Sequence, residues 1–195
     1  MTGQTGTVSA AVLPVEITPP IGTRMDGYGA RKDVSNNIHD PLYATLLLIK
    51  TEQGGVALVT MDLLAVTLNF TKKVRAALSP ILEIPEDAIL VAAIHSHAGP
   101  VGFLERVPLL NSMEDPVQQE LCLRKLSGAA GWVKSHLQPA RLGIGRGEVH
   151  DLGRNRNDPA AGLTDFEVGV LRVDDINGQP LAVLMNYGCP PTVLG

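Results

Sequence analysis

Two apolar runs govern what this chain can fold into. "LYATLLLIK" (residues 42–50) and "VALVTMDLL" (residues 56–64) are separated by "TEQGG". Two such runs joined by a glycine-bearing turn signal a β-hairpin. Neither run alternates apolar with polar residues. A strand with one face in water alternates, so near-continuous runs imply strands covered on both faces. The hairpin therefore needs one layer above it and another below.

The remaining chain offers elements for both layers. Phe70, Val74, Ala77, Leu78 and Ile81 recur at helical spacing, which predicts a helix over 69–82, weakened by Pro80. A second helix is expected over 115–137. Asp115 suits its N-cap, Pro116 its first position, and Gln118 the reciprocal place of a capping box. Val117, Leu121, Leu126, Ala130, Val133 and Leu137 then follow along one side. Strands are expected over 8–17, 88–95, 141–148, 166–174 and 180–187, the last two joined by a turn at Asn177-Gly178. The strand over 88–95 is expected in the interior of the sheet. Met25–Pro41, rich in Gly, Asn and Asp, reads as a long loop. The pattern gives an α/β class of mixed (α+β) type, a mixed sheet with flanking helices.

The chain has 195 residues, enough for one domain or a large piece of one. It ends at "MNYGCPPTVLG", directly after a strand. The expectation is that 1–195 form an incomplete N-terminal part of a larger domain. A net charge of −4, without a basic cluster, argues against a nucleic-acid partner. Two cysteines cannot make a disulfide framework. The N-terminus lacks a basic segment followed by an apolar one, and no apolar run approaches the roughly 20 residues of a transmembrane segment. A cytoplasmic location is expected, with secretion left open. Composition is silent on oligomeric state.

The chemistry concentrates in "VAAIHSHAGP" (Val91–Pro100). On a strand, His95 and His97 would point the same way, and two imidazoles so placed could grip one zinc ion or activate one water. Ala98-Gly99-Pro100 would end the strand and leave both rings beside a loop. The same spacing also fits two half-buried histidines satisfied by backbone carbonyls. His39, His136 and His150 stand alone and are assigned to no site. Arg154 and Arg156, in "DLGRNRNDP", could reach over a cleft to a carbonyl or carboxylate, though a solvated loop arginine is the plainer reading. Asp62 could orient a ligand histidine or cap a turn. Cys189 could be a nucleophile, but a small buried cysteine is commoner.

Taken in order, "EITPPIGTRMDGYGAR", "IHDPLYATLLLI", "VALVTMDLL", "AAIHSHAGPVG", "GRNRNDP", "DFEVGVLRVDD" and "MNYGCPPTVLG" span nearly the whole chain. Together they resemble the N-terminal domain of the neutral/alkaline, non-lysosomal ceramidases and their bacterial relatives. The resemblance implies a zinc amidohydrolase of sphingolipid metabolism that cleaves the amide of ceramide, so a small-molecule lipid amide is the implied partner. It implies that His95 binds zinc and that His97 lies beside the metal against the reacting group. It further implies that Arg156 helps hold the substrate, on the same cleft as the histidines.

One departure stands out. The family places its second zinc histidine directly before Pro-Thr, where this chain reads Cys189-Pro190-Pro191-Thr192. The family's remaining ligands, a glutamate and a tyrosine, fall beyond residue 195. The resemblance thus implies weak zinc binding and little activity here. The alternative is a non-enzymatic, degenerate or truncated fragment with a structural or interaction role. A barrel-type amidohydrolase also uses His-x-His, but after its first strand and in a longer chain, so it ranks below both.

Overall fold

The computed structural model describes residues 7–107, 112–155, 157–158, 160 and 162–189. Strands β1 (Ser9–Glu16), β2 (Tyr43–Thr51), β3 (Gly54–Met61) and β4 (Ile89–Ala93) precede β5 (Gln138–Glu148), β6 (Glu167–Asp175) and β7 (Pro180–Tyr187). Helix α1 (Leu68–Leu82) connects β3 to β4, and α2 (Pro116–Ser135) connects β4 to β5. The strands form one sheet in the order β4-β3-β2-β1-β5-β6-β7. Among the described residues, β3 and β4 make its one parallel pair. A parallel pair needs a long crossover, and α1 supplies it. This mixed sheet excludes a closed parallel barrel.

The hairpin is covered on both faces, as its unbroken apolar runs require. One face packs on the helices: Leu46, Leu48, Val59 and Met61 meet Phe70, Val74 and Leu78 of α1 and Leu126 and Val133 of α2. Every residue of this larger core precedes β5. The other face carries Leu47 and Ile49, which pack with Ala10 and with Val173 of β6; Leu171, Leu181 and Ala182 close around them. The second cover is thus the far end of the same sheet. Among the described residues, β1 and β5 are joined by two residue pairs, Ser9↔Pro139 and Ala10↔Gln138, with the Ala140 N–H donating to Val8 O just beyond them at 2.9 Å. At that narrow junction the sheet folds back on itself.

Local chemistry explains the helix ends. The Thr67 hydroxyl accepts from the Phe70 N–H at the start of α1. Pro80 sits in the last turn and does not end the helix, which runs to Leu82 before Glu83 turns left-handed at φ 55°. Asp115 caps α2 by accepting from the N–H groups of Val117 and Gln118. The expected capping box is half made, because the Asp115 N–H donates to the Gly102 carbonyl at 3.0 Å.

One expectation about the sheet fails. The strand over 88–95 is not interior: β4 lies at one edge and β7 at the other. Local pattern cannot separate the two cases, since α1 buries β4 from one side even at the edge. No described helix is long and apolar enough to cross a membrane.

Candidate functional site

β4 leaves the sheet two residues before His95. The Ile94 N–H still donates to Met61 O at 3.0 Å, and the Ser96 N–H to Leu63 O at 3.1 Å. Between them His95 turns left-handed, at φ 65°. An L-residue with a Cβ pays about 1 kcal/mol or more for that conformation. Strand alternation therefore does not aim the two histidines. The turn brings them together instead, with ring centroids 5.0 Å apart and planes at 72°. His95 Nδ1 lies 3.0 Å from the Leu64 carbonyl oxygen. A carbonyl can only accept, so Nδ1 carries the hydrogen and Nε2 keeps a lone pair in the neutral ring. That is the state in which an imidazole binds a metal.

His97 is held by the long loop. Met25 bridges to Pro100, and the Asp26 N–H donates to Gly99 O at 2.9 Å. Loop 25–31 is thereby laid along the histidine turn. The Tyr28 ring meets His97 edge to face at 4.6 Å. Arg31 Nη1 donates to the His97 carbonyl at 2.9 Å and to the Asp26 carbonyl at 3.3 Å. Buried Asp26 accepts through Oδ1 from the Gly27 N–H at 2.9 Å and from the Ser112 hydroxyl.

His95 stands at the rim of a cavity of about 550 Å3. Leu58 and Leu90 line it from one edge of the folded sheet, and Leu184, Met185, Tyr187 and Cys189 from the other. The cleft is thus the space left between the two ends of one curled sheet. Tyr187 also anchors the loop that follows β5: its hydroxyl donates to Val149 O at 3.0 Å, and the Cys189 thiol lies 3.8 Å from Leu152 O. The loop carrying Arg154 and Asn155 is therefore docked at this end of β7. Asn155 Oδ1 accepts from the N–H groups of Asn157 and Asp158. Arg156 and Pro190 lie outside the described residues.

The other candidates stay apart from the pair. Asp62 Oδ2 accepts from the Tyr43 N–H at 2.7 Å, so it caps the strand entry while the Leu64 carbonyl orients His95. Burial pushes the Asp62 carboxyl above the usual carboxylate range, against the lowering effect of the Tyr43 N–H. His39 pairs with Asp40 at the surface, His150 with Glu148, and His136 stacks on Trp132 at the end of α2. Sequence reasoning missed Gly27, Tyr28 and Arg31. Their only signal was "DGYGAR", a Gly-Tyr-Gly in a polar loop.

A catalytic zinc needs roughly three protein ligands. Among the described residues, no three His, Cys, Asp or Glu side chains converge. His95 fits one corner of such a site, and the described residues do not complete it.

Fold and site together define a mixed α/β protein whose histidine-bearing loop opens on an apolar cleft. The chain belongs to the neutral/alkaline non-lysosomal ceramidase family, whose N-terminal region matches residues 14–163. It is similar to neutral ceramidase 2 of Arabidopsis thaliana, 26% identical over 165 residues that cover 78% of this chain and 22% of that protein. It is also similar to the neutral ceramidase of Pseudomonas aeruginosa, 26% identical over 174 residues that cover 80% of this chain and 26% of that one. The chain thus spans about a quarter or less of the length of these curated relatives. The crystal structure of the Pseudomonas aeruginosa neutral ceramidase superposes with a TM-score of 0.82 at 22% identity, over 97% of this chain and 33% of that one. At that identity the likeness establishes the fold.

Proposed function

We propose that this chain is the histidine-bearing N-terminal part of a zinc amide hydrolase acting on ceramide or a related N-acyl lipid. We also propose that by itself it holds zinc weakly and hydrolyses little. The observation that carries the reading is His95: its Nδ1 is spent on Leu64 O while its ring stands at the rim of an apolar cleft. An apolar cleft takes a fatty chain out of water, at roughly 0.8 kcal/mol per buried CH2 group. His97, 5.0 Å from His95 between ring centres, is assigned to donate to a carbonyl oxygen of the substrate. Arg156, in a loop whose described flank docks on Tyr187 and Cys189, is assigned to hold the polar end of the substrate. Zinc, when bound, supplies Lewis acidity and an activated water.

A second reading is a non-enzymatic fragment with a structural or interaction role. It is favoured by Pro190, which offers no imidazole where the family carries its second zinc histidine.

Zinc content after dialysis, measured for the chain and for His95→Ala alongside hydrolysis of a short-chain ceramide, tests both. The proposal expects substoichiometric zinc that falls further in the variant, with at most traces of turnover. Stoichiometric zinc or robust hydrolysis would refute the weak-binding half. Zinc retention unchanged by His95→Ala would remove His95 from the metal and leave the second reading.

A further inference from the structure

We propose that Arg31 and Tyr28 are positioning residues for His97, and that Gly27 provides the gap through which they close on its ring. The inference rests on the reading of His97 as the group beside the reacting bond.

Several contacts converge on this one imidazole. Arg31 donates to the carbonyls of His97 and Asp26, which ties two loops together across 66 residues of sequence. Both bonds leave Nη1, whose two hydrogens lie in the guanidinium plane; a lysine ammonium could reach the carbonyls but has no plane to lay over the Tyr28 ring. The same group lies 4.8 Å from the centre of the Tyr28 ring. A cation over an aromatic face is attracted to it, so Arg31 also fixes the orientation of Tyr28. Tyr28 in turn meets the His97 ring edge to face at 4.6 Å, with His95 on another side at 5.0 Å.

Gly27 makes the approach possible. A Cβ there would stand 2.6 Å from His97 Cγ, and the backbone sits at φ 102°. Both facts demand glycine. Asp26 anchors the strip from behind, buried and bonded to the Ser112 hydroxyl. The loop is therefore fastened by bonds that do not involve the His97 side chain, and a fastened loop can impose a rotamer on it. Reactive groups need this, since a side chain left loose by about 1 Å loses much of its effect.

The test is the set of ring-to-ring proton NOEs in the metal-free full chain. The native protein should show Tyr28–His97 and His95–His97 NOEs. Arg31→Ala should lose both while the amide spectrum of β1–β4 is kept. Tyr28→Leu should lose the His95–His97 NOE, and Tyr28→Phe, which keeps the ring, should restore it. Where Arg31→Ala does not fold, Arg31→Lys reads the same point and should weaken the His95–His97 NOE. Wild-type ring NOEs in a folded Arg31 variant or in Tyr28→Leu would overturn the proposal. These readouts need neither metal nor turnover, so failure of the zinc hydrolase reading would show separately, in the dialysis and hydrolysis measurements.

Discussion

His95 Nδ1 and the Leu64 carbonyl oxygen are 3.0 Å apart, and that contact decides which nitrogen the imidazole offers to the cleft. It is made from a backbone conformation that costs energy, φ 65° on a residue with a Cβ. Function and stability therefore pull in opposite directions at this position. His95→Gly should be more stable than His95→Ala by about 1 kcal/mol, because only glycine is relaxed there. Both variants should lose the retained zinc. Urea unfolding and metal analysis of the pair check it; equal stabilities would mean that the left-handed turn stores no strain.

Gly27 and Gly131 make a contrasting pair. A methyl on Gly27 would collide with His97 at a backbone φ of 102°, so Gly27→Ala should cost about 1–3 kcal/mol. Gly131 lies within α2 with nothing within 4 Å of an added Cβ. Gly131→Ala should gain about 0.4–1 kcal/mol, chiefly by restricting the unfolded chain. Chemical denaturation midpoints read both signs.

Asp62 gives a pH dependence. Burial raises its folded-state pKa above the unfolded value, so the folded protein holds its proton longer as pH rises. Stability from this group is present below the unfolded carboxylate value and is lost as pH rises through the raised folded one. Asp62→Asn keeps an acceptor for the Tyr43 N–H and removes the charge. It should be more stable than the parent at neutral pH, with the difference vanishing below the ordinary carboxylate range. Thermal melts across that range check the sign; a variant less stable at neutral pH would contradict it.

By the family resemblance, Pro190 stands where a second zinc histidine is expected. Its neighbour Cys189 borders the same cleft as His95. Pro190→His should therefore raise the zinc retained after dialysis, and His95→Ala should cancel the gain in the double variant. A gain that survives His95→Ala would place the new ligand elsewhere.

Much of the scaffold was legible because burial writes itself locally. The unbroken runs of β2 and β3 announced a layer on each side, and the two cores supply them. Asp115-Pro116 announced the start of α2 to the residue. The position of β4 at an edge was not legible, because strand order depends on which elements meet, and an edge strand under a helix reads like an interior one. The histidine pair was visible as a motif, yet alternation along a strand was the wrong reason for its geometry: the left-handed His95 brings the rings together. Arg31 escaped notice because its partner is 66 residues away and is a backbone carbonyl, a group every residue has. Arg156 rests on the family resemblance, since it lies outside the described residues.

The narrow β1–β5 junction has a consequence for how the molecule is assembled. A ribosome delivers the chain in order, and the larger core draws on no residue later than α2 and the Leu137 that follows it. The helix-covered half can therefore settle while β6 and β7 are still unmade, as nascent domains do from the N-terminal side. Among the described residues, a short ladder at Ser9↔Pro139 and Ala10↔Gln138 then guides the late hairpin as it swings over the waiting face of β2. The cleft beside His95 comes into being with that last movement, so a nascent chain stalled before Pro180 would own a core and both histidines but no cleft.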